Sequence, residues 1–174
     1  AQLVEGRAII VRQGKEMEID SYPLDFKDQD LIQTFDKGKV HLTLKGNDEV
    51  FLAPKTKILF EEKLEIKGSK RILNRTLKLN GRLLAIIQRS DETPIQIRTP
   101  NAIVGVKGTE FVVEFLSKAT NVGTLKGTVN LSSLTTGDSI DLEAGTMSSV
   151  HASGEVLPIT EFSGELMQDF EFAG

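Results

Sequence analysis

A chain of 174 residues with 39% hydrophobic and 26% charged residues has the composition of a folded globular domain with its own core, which excludes bulk disorder. With 21 basic against 25 acidic residues the formal charge is −4, the wrong balance for a surface that neutralises phosphates, so no nucleic acid is expected as a partner. Cysteine is absent, which removes disulfides, thiolate catalysis and cysteine-ligated zinc, and no apolar run approaches the ~20 residues of a membrane helix.

In chain order, Leu3-Val4, Gly6 to Val11 and Met17 to Ile19 predict short strands, the last two joined by a turn at Gln13-Gly14. Tyr22-Pro23 marks a turn, and Asp25 to Asp30 is a polar connection before Leu31-Ile32. From Gly38, Val40, Leu42 and Leu44 alternate with Lys39, His41, Thr43 and Lys45, the pattern of a half-buried strand. Lys45 to Asp48 is its turn, and Val50 to Leu52 its return strand, stopped by Ala53-Pro54. Thr56 to Ile66 reads as a further strand with Ile58 and Phe60 on one face, a short helix from Phe60 to Lys67 being the competing reading. The basic strip Lys67, Lys70, Arg71 and Arg75 reads as a solvated edge or loop, kept from aggregating by its charge.

The stretch from Ile95 to Phe115 organises the rest. Ile95 and Ile97 share one strand face, and Pro100 closes that strand because proline lacks a donor and holds Thr99 extended. Ala102 to Val106 is apolar almost throughout, which suits a strand buried on both faces. The apolar set lies at even positions (Val104, Val106) before Gly108 and at odd positions (Phe111, Val113, Phe115) after it. Such a phase change needs a bulge or a crossing between sheets, and glycine tolerates the backbone angles required.

Glycine also opens four segments as Gly-x-apolar, at Gly6, Gly38, Gly81 and Gly127. Three of them continue as a hairpin: a polar turn, then Val50-x-Leu52, Ile95-x-Ile97 or Ile140-x-Leu142. The expected fold is therefore all-β, with short β-hairpins repeated into two packed sheets, either β-solenoid-like or a β-sandwich. After Val150 the character changes to acidic residues with spaced phenylalanines. Residues 1–150 read as the β domain and 151–174 as an acidic C-terminal tail or docking segment. Phe162, Leu166 and Phe170, four residues apart, predict one stripe of a helix, with Phe172 beyond.

Thr99-Pro100-x-Ala102 followed by Val106-Lys107-Gly108-Thr109-x-Phe111-x-Val113 resembles the central motif of the FecR domain. Asp30-Leu-Ile-Gln-Thr34 resembles that family's Gly-Asp-x-Ile-x-Thr, with Gln29 where the glycine usually stands. The segments from Gly38 to Pro54 and from Gly127 to Gly145 resemble its hairpins, so the likeness covers about residues 6 to 150. It implies structural motif residues Thr99, Pro100, Lys107, Gly108, Thr109 and Phe111, and a periplasmic or otherwise extracytoplasmic location in bacteria. In that family such regions receive a signal from an outer-membrane iron–chelate transporter and pass it to a cytoplasmic sigma factor. The partner implied is another protein, an outer-membrane receptor or membrane regulator, and the implied function is signalling or regulation of iron transport. Residues after Val150 are too few for the small α/β domain that often ends such regulators. No charged-then-apolar leader stands at Ala1, as expected of a mature or trimmed chain. Peripheral or anchored membrane association stays open.

No catalytic constellation stands out. His41 lies on the polar phase of its strand, and His151 beside Ser153-Gly154 makes no nucleophile elbow. Glu61-Glu62 and Asp91-Glu92 are neighbours in sequence, and adjacent strand residues point to opposite faces. Gly105 to Thr109 lacks the spacing of a phosphate loop. The chain is expected to be no enzyme and to hold no metal or organic cofactor. Cell-wall glycan or small-ligand binding is the alternative function, though one tyrosine and no tryptophan supply little stacking surface. For a protein partner, the lysine-rich segment 67 to 78 is a candidate open strand edge and the tail from 155 to 172 its candidate occupant.

Overall fold

A computed structural model describes residues 1–171. Its strands alternate between two sheets in a regular way. Strand β1 (Gln2–Glu5) lies in sheet A, and β2 (Ala8–Arg12), β3 (Lys15–Ile19) and β4 (Leu31–Thr34) in sheet B. Strands β5 (Lys39–Leu44) and β6 (Asp48–Leu52) form a hairpin in A, and β7 (Lys57–Lys67) opens one in B. Its partner β8 (Lys70–Ile86) begins in B and ends in A. Strands β9 (Ile95–Arg98) and β10 (Ala102–Val106) return to B, then β11 (Glu110–Leu116) and β12 (Ala119–Lys126) to A. Strands β13 (Thr128–Ser133) and β14 (Ser139–Glu143) follow in B, and β15 (Thr146–Val150) and β16 (Thr160–Glu161) in A.

Each sheet thus grows along the chain. Sheet A runs β1-β5-β6-β8-β11-β12-β15-β16 and sheet B runs β3-β2-β4-β7-β8-β9-β10-β13-β14, all antiparallel except the parallel β8–β9 pair. One continuous core lies between the sheets, built from inward residues such as Ile10, Ile58 and Leu131 of B and Leu42, Leu83 and Phe111 of A. The expected all-β fold of hairpins in two packed sheets is what is found, and the sheets do not close into a barrel.

Two glycines carry the chain between layers. At Gly81 (φ +125°), β8 stops pairing with β7 and starts pairing with β11, and a Cβ there would meet Thr56 Oγ1 at 2.5 Å. At Gly108 (φ +61°) the chain leaves β10 in sheet B for β11 in sheet A, so the phase change in the apolar pattern is a crossing between sheets.

Four local expectations are corrected. Gly81 does not open a hairpin: the strand after it belongs to sheet A, whereas β9 lies in sheet B, parallel to the first half of β8. The hairpins after Gly38 and Gly127 also lie in opposite sheets, so the glycine repeat is not one unit copied. Strand β10 is not buried on both faces, whereas β11 is. In β10 Ala102 and Val104 are buried and Val106 is half-buried against the core, all on one face, whereas Phe111, Val112 and Val113 are all buried because the C-terminal segment covers the outer face of sheet A. Finally, the stripe at Phe162, Leu166 and Phe170 is not a long helix. A single 3-10 turn, Gly164–Met167, capped by Ser163, brings these side chains to one cluster with Phe51, Ala53, Leu84 and Val112. Phe172 lies outside the described residues.

Candidate functional site

The motif residues meet at two turns. Thr99, Pro100 and Asn101 reverse the chain between β9 and β10. Thr99 is buried, its Oγ1 accepting the Ala102 amide at 3.0 Å and lying 2.7 Å from Thr120 Oγ1 on β12, across the core. Thr120 donates in turn to Asn101 Oδ1. Asn101 Nδ2 faces the carbonyls of Lys118, Val150 and His151 at 3.1–3.2 Å. One turn of sheet B is therefore stitched to the ends of β12 and β15 in sheet A, while Pro100 stays exposed.

At the opposite end of β10, Lys107 and Gly108 are exposed and Thr109 is buried. The Thr109 amide and carbonyl both pair with Ile87, at 3.0 and 2.8 Å, and Phe111 enters the core. A Cβ on Gly127 would approach the Gly108 carbonyl to 2.7 Å, so the two glycines allow this crossing to pack backbone on backbone. The buried members of the motif are thus engaged in building the fold.

The Asp30 segment is a clamp. Asp30 is buried and takes a bidentate pair from Arg12 at 2.9 and 2.7 Å, together with the Lys27 amide at 2.7 Å. Burial pushes its carboxyl up, but the Arg12 guanidinium and the Lys27 amide outweigh that and hold it below the usual carboxylate range. Thr34 Oγ1 donates to the Ala53 carbonyl at 2.7 Å and accepts the Thr56 amide at 2.9 Å. Gln29, at the position where the family carries glycine, has φ +70°, the left-handed conformation that glycine adopts without penalty.

Arg75 departs from the basic strip that the sequence suggests. It faces the core, fully buried, with Nη2 2.5 Å from Asp48 Oδ2 and Nη1 3.0 Å from the Lys45 carbonyl. Asp48 Oδ1 accepts the Gln88 amide at 2.6 Å. This pair ties β8 of sheet B to the β5–β6 turn of sheet A. A guanidinium counted as surface charge is an interlayer clamp, and the period-two alternation through Leu77 and Leu79 is the signal that places it inward.

The remaining chemical candidates do not converge. His41 stacks on Phe51 with ring centroids 4.5 Å apart and lies 3.1 Å from Glu49. His151 faces Ser153 Oγ at 3.4 Å with both residues exposed. Among the described residues no group of three histidine, aspartate or glutamate side chains is placed to hold a metal ion.

Three surfaces remain. The outer face of sheet A is roofed by the C-terminal segment: the Phe162 ring fills the space over Gly123, and Arg82 Nη2 pairs with Asp169 at 2.6 Å. The outer face of sheet B carries an open groove of about 620 Å³ floored by Gly105 and rimmed by Thr76, Gln96, Lys107, Asn130 and Asp141. The third surface is the far end of the β7–β8 hairpin, whose ladder runs out to Lys67↔Lys70. Strand β4 flanks β7 only at Lys57–Leu59, and β9 flanks β8 only at Arg75–Lys78. Segment 67 to 78 is therefore not one open edge, since its inner half is central in sheet B. Nor does the tail occupy it, because the tail packs on sheet A.

These features define a class: an open, two-sheet β domain of hairpins that alternate between layers, with its motif residues at one turn within sheet B and at the crossing from β10 to β11. The family model described as FecR protein matches residues 30–130, and the chain belongs to the FecR family. Two crystal structures of a protein proposed to be an anti-sigma factor, from Parabacteroides distasonis, share the fold, each with a TM-score of 0.63, at 20% and 19% identity. The alignments cover 78% of this chain and 61% of that one, so the chain spans about three fifths of that protein's length. No curated protein matches significantly.

Proposed function

We propose that the chain is a non-catalytic, extracytoplasmic module of a FecR-like regulator in the bacterial cell envelope, where it senses a signal by binding another protein. The observation that carries this reading is the FecR match over residues 30–130, supported by the fold shared with the proposed anti-sigma factor. The burial of the motif residues agrees with it, since Thr99, Thr109 and Phe111 are committed to packing and leave recognition to the surface. An outer-membrane receptor or a membrane regulator is the proposed partner, and control of iron uptake the proposed setting. The groove on sheet B presents amide, hydroxyl and charged groups but no aromatic face on which a sugar could stack, so the protein-binding reading is preferred to a glycan-binding one.

The test combines two measurements on the native gene. A β-lactamase fused after residue 174 should protect cells from a β-lactam only if the module lies outside the cytoplasmic membrane. An in-frame deletion of the module should change transcription from a defined set of promoters when the envelope is challenged. A fusion that gives no protection, or an unchanged transcript profile, overturns the reading.

A further inference from the structure

The β7–β8 hairpin projects past the sandwich. Inward positions follow the period of two: Ile58 and Phe60 on β7 and Leu77 on β8 are core, so Leu64, Ile66 and Leu73 continue the same face. Sheet A stops before reaching them, its β5–β6 turn being held at the level of Arg75 by the bond to the Lys45 carbonyl. Leu64 and Ile66 are consequently 53% and 70% exposed.

The backbone beside them is open as well. Along the outer edge of β7 the even residues point their polar groups away from β8. Phe60 exchanges bonds with Gln29 and Asp30, and the Glu62 amide is taken by Asp28 Oδ1 at 2.7 Å. Beyond Glu62 the same alternation leaves Leu64 and Ile66 with outward amides and carbonyls and, among the described residues, no strand alongside. The flanking charge is one-sided. Between Lys63 and Leu73 the chain has four basic residues and one acidic, on a protein whose total is −4.

We propose that the outer edge of β7 from Lys63 to Lys67 receives an extended segment of a partner protein, added as a strand, with apolar residues opposite Leu64 and Ile66 and carboxylates opposite Lys63 and Lys67. Backbone pairing supplies the attachment, and the alternating side chains supply selectivity. One register of pairing with a second copy of this chain is disfavoured. Antiparallel self-pairing centred on Glu65 sets Lys63 against Lys67, and like charges directly opposite are repulsive. The proposal rests on the reading of the chain as a protein-binding module, but its test does not.

The probe is a fluorescein-labelled peptide with the core Asp-Val-Thr-Val-Asp, a palindromic pattern that meets the edge equally in either strand direction, titrated with the 174-residue chain by fluorescence anisotropy. Saturable binding is expected, with at least a tenfold loss for Lys63→Glu/Lys67→Glu, and an N-methylated valine peptide should lose binding similarly. The double variant should instead prefer Lys-Val-Thr-Val-Lys. Both substitutions are at exposed positions, and an unchanged far-UV spectrum verifies folding. Absence of binding, equal binding by the double variant, or equal binding by the N-methylated peptide overturns the proposal. So does loss of phosphatidylglycerol-vesicle binding or of self-association in Ile66→Gln, which would give the arm to a bilayer or to a second copy. A deletion phenotype without peptide binding removes the arm and spares the module reading. Peptide binding without that phenotype does the reverse.

Discussion

The outer face of sheet A and the inner face of the β7–β8 arm both carry apolar side chains outside the central core, and the chain treats them differently. On sheet A, Phe51, Leu84 and Val112 are roofed by Phe162, Leu166 and Phe170 and are withdrawn from water. On the arm, Leu64 and Ile66 stay largely exposed among the described residues. Apolar area stabilises a fold only when it leaves water, so the first face contributes to stability and the second is available to a partner. Gly123 shows how closely the first face fits its roof: a Cβ there would fall 2.2 Å from the Phe162 ring.

Removing residues 154–174 is the hardest test of that contrast. It strips Leu166 and Phe170, both buried, together with the Arg82–Asp169 pair. The expected loss is about 5 kcal/mol or more, given that truncating a single buried phenylalanine costs ~3–5 kcal/mol. The uncovered face should also drive association, visible in sedimentation velocity. An unchanged urea midpoint in a monomeric product would mean that the roof contributes nothing and that the two faces are equivalent.

Next in size is the Arg75–Asp48 clamp, which marks where sheet A ends and the arm begins. Asp48→Ala leaves a buried guanidinium without its counterion and should cost about 3–5 kcal/mol in urea unfolding. The double variant Arg75→Met/Asp48→Leu removes both charges and should recover most of that loss. If Asp48→Ala is as stable as the parent, the pair does not hold the layers together at the root of the arm.

Much of the sheet architecture was legible from alternation alone. The β5–β6 hairpin, the strand through Ile58 and Phe60 and the crossing at Gly108 each follow from period-two patterns and one change of phase. What was not legible depends on non-local geometry. The residues from Lys70 to Ile86 form one strand serving two sheets, and local sequence does not reveal that Gly81 turns it from one layer to the other instead of starting a hairpin. Arg75 reads as surface charge because its counterion is 27 residues away. The stripe at Phe162, Leu166 and Phe170 correctly implies a shared apolar face, but a 3-10 turn and extended chain reach the same cluster without a long helix. The arm was half legible: its charge was evident, but the exposure of its apolar face depends on where the opposite sheet stops.

The Asp30 clamp offers a smaller test, read through pH. Loop residues Gln29 and Asp30, held by Arg12, close the edge of β7 just before the arm leaves the sheet. Because the folded carboxyl titrates below its unfolded value, the clamp's contribution is fully present above the unfolded pKa of ~4 and fades as pH falls through the lower folded one. Asp30→Asn should therefore be less stable than the parent by about 1.5–3 kcal/mol at neutral pH, the usual worth of hydrogen bonds to a charged group. That difference should shrink as the pH is taken well below 4. A difference that is flat or grows on acidification would show that the carboxylate is not what fastens the loop.

The smallest expected effect sharpens the comparison most. Ile66→Gln on the arm should move the urea midpoint by no more than the ~0.5 kcal/mol typical of surface substitutions, because the side chain is already 70% exposed and its removal uncovers nothing. Leu166→Gln, made on the covered face, places a polar amide against Phe51 and Val112 without a partner and should cost several times as much, about 2–4 kcal/mol. The two substitutions exchange a branched apolar residue for the same amide, so the difference between them isolates the roof. If Ile66→Gln is as damaging as Leu166→Gln, the arm's inner face is already packed within the folded chain and is not free for a partner. If both are silent, neither face is coupled to folding, and the C-terminal segment rests on sheet A without stabilising it. A near-silent Ile66→Gln that still loses the acidic peptide would separate the two roles within one hairpin: the root of β7 and β8 holds the sheets, and the tip makes the contact.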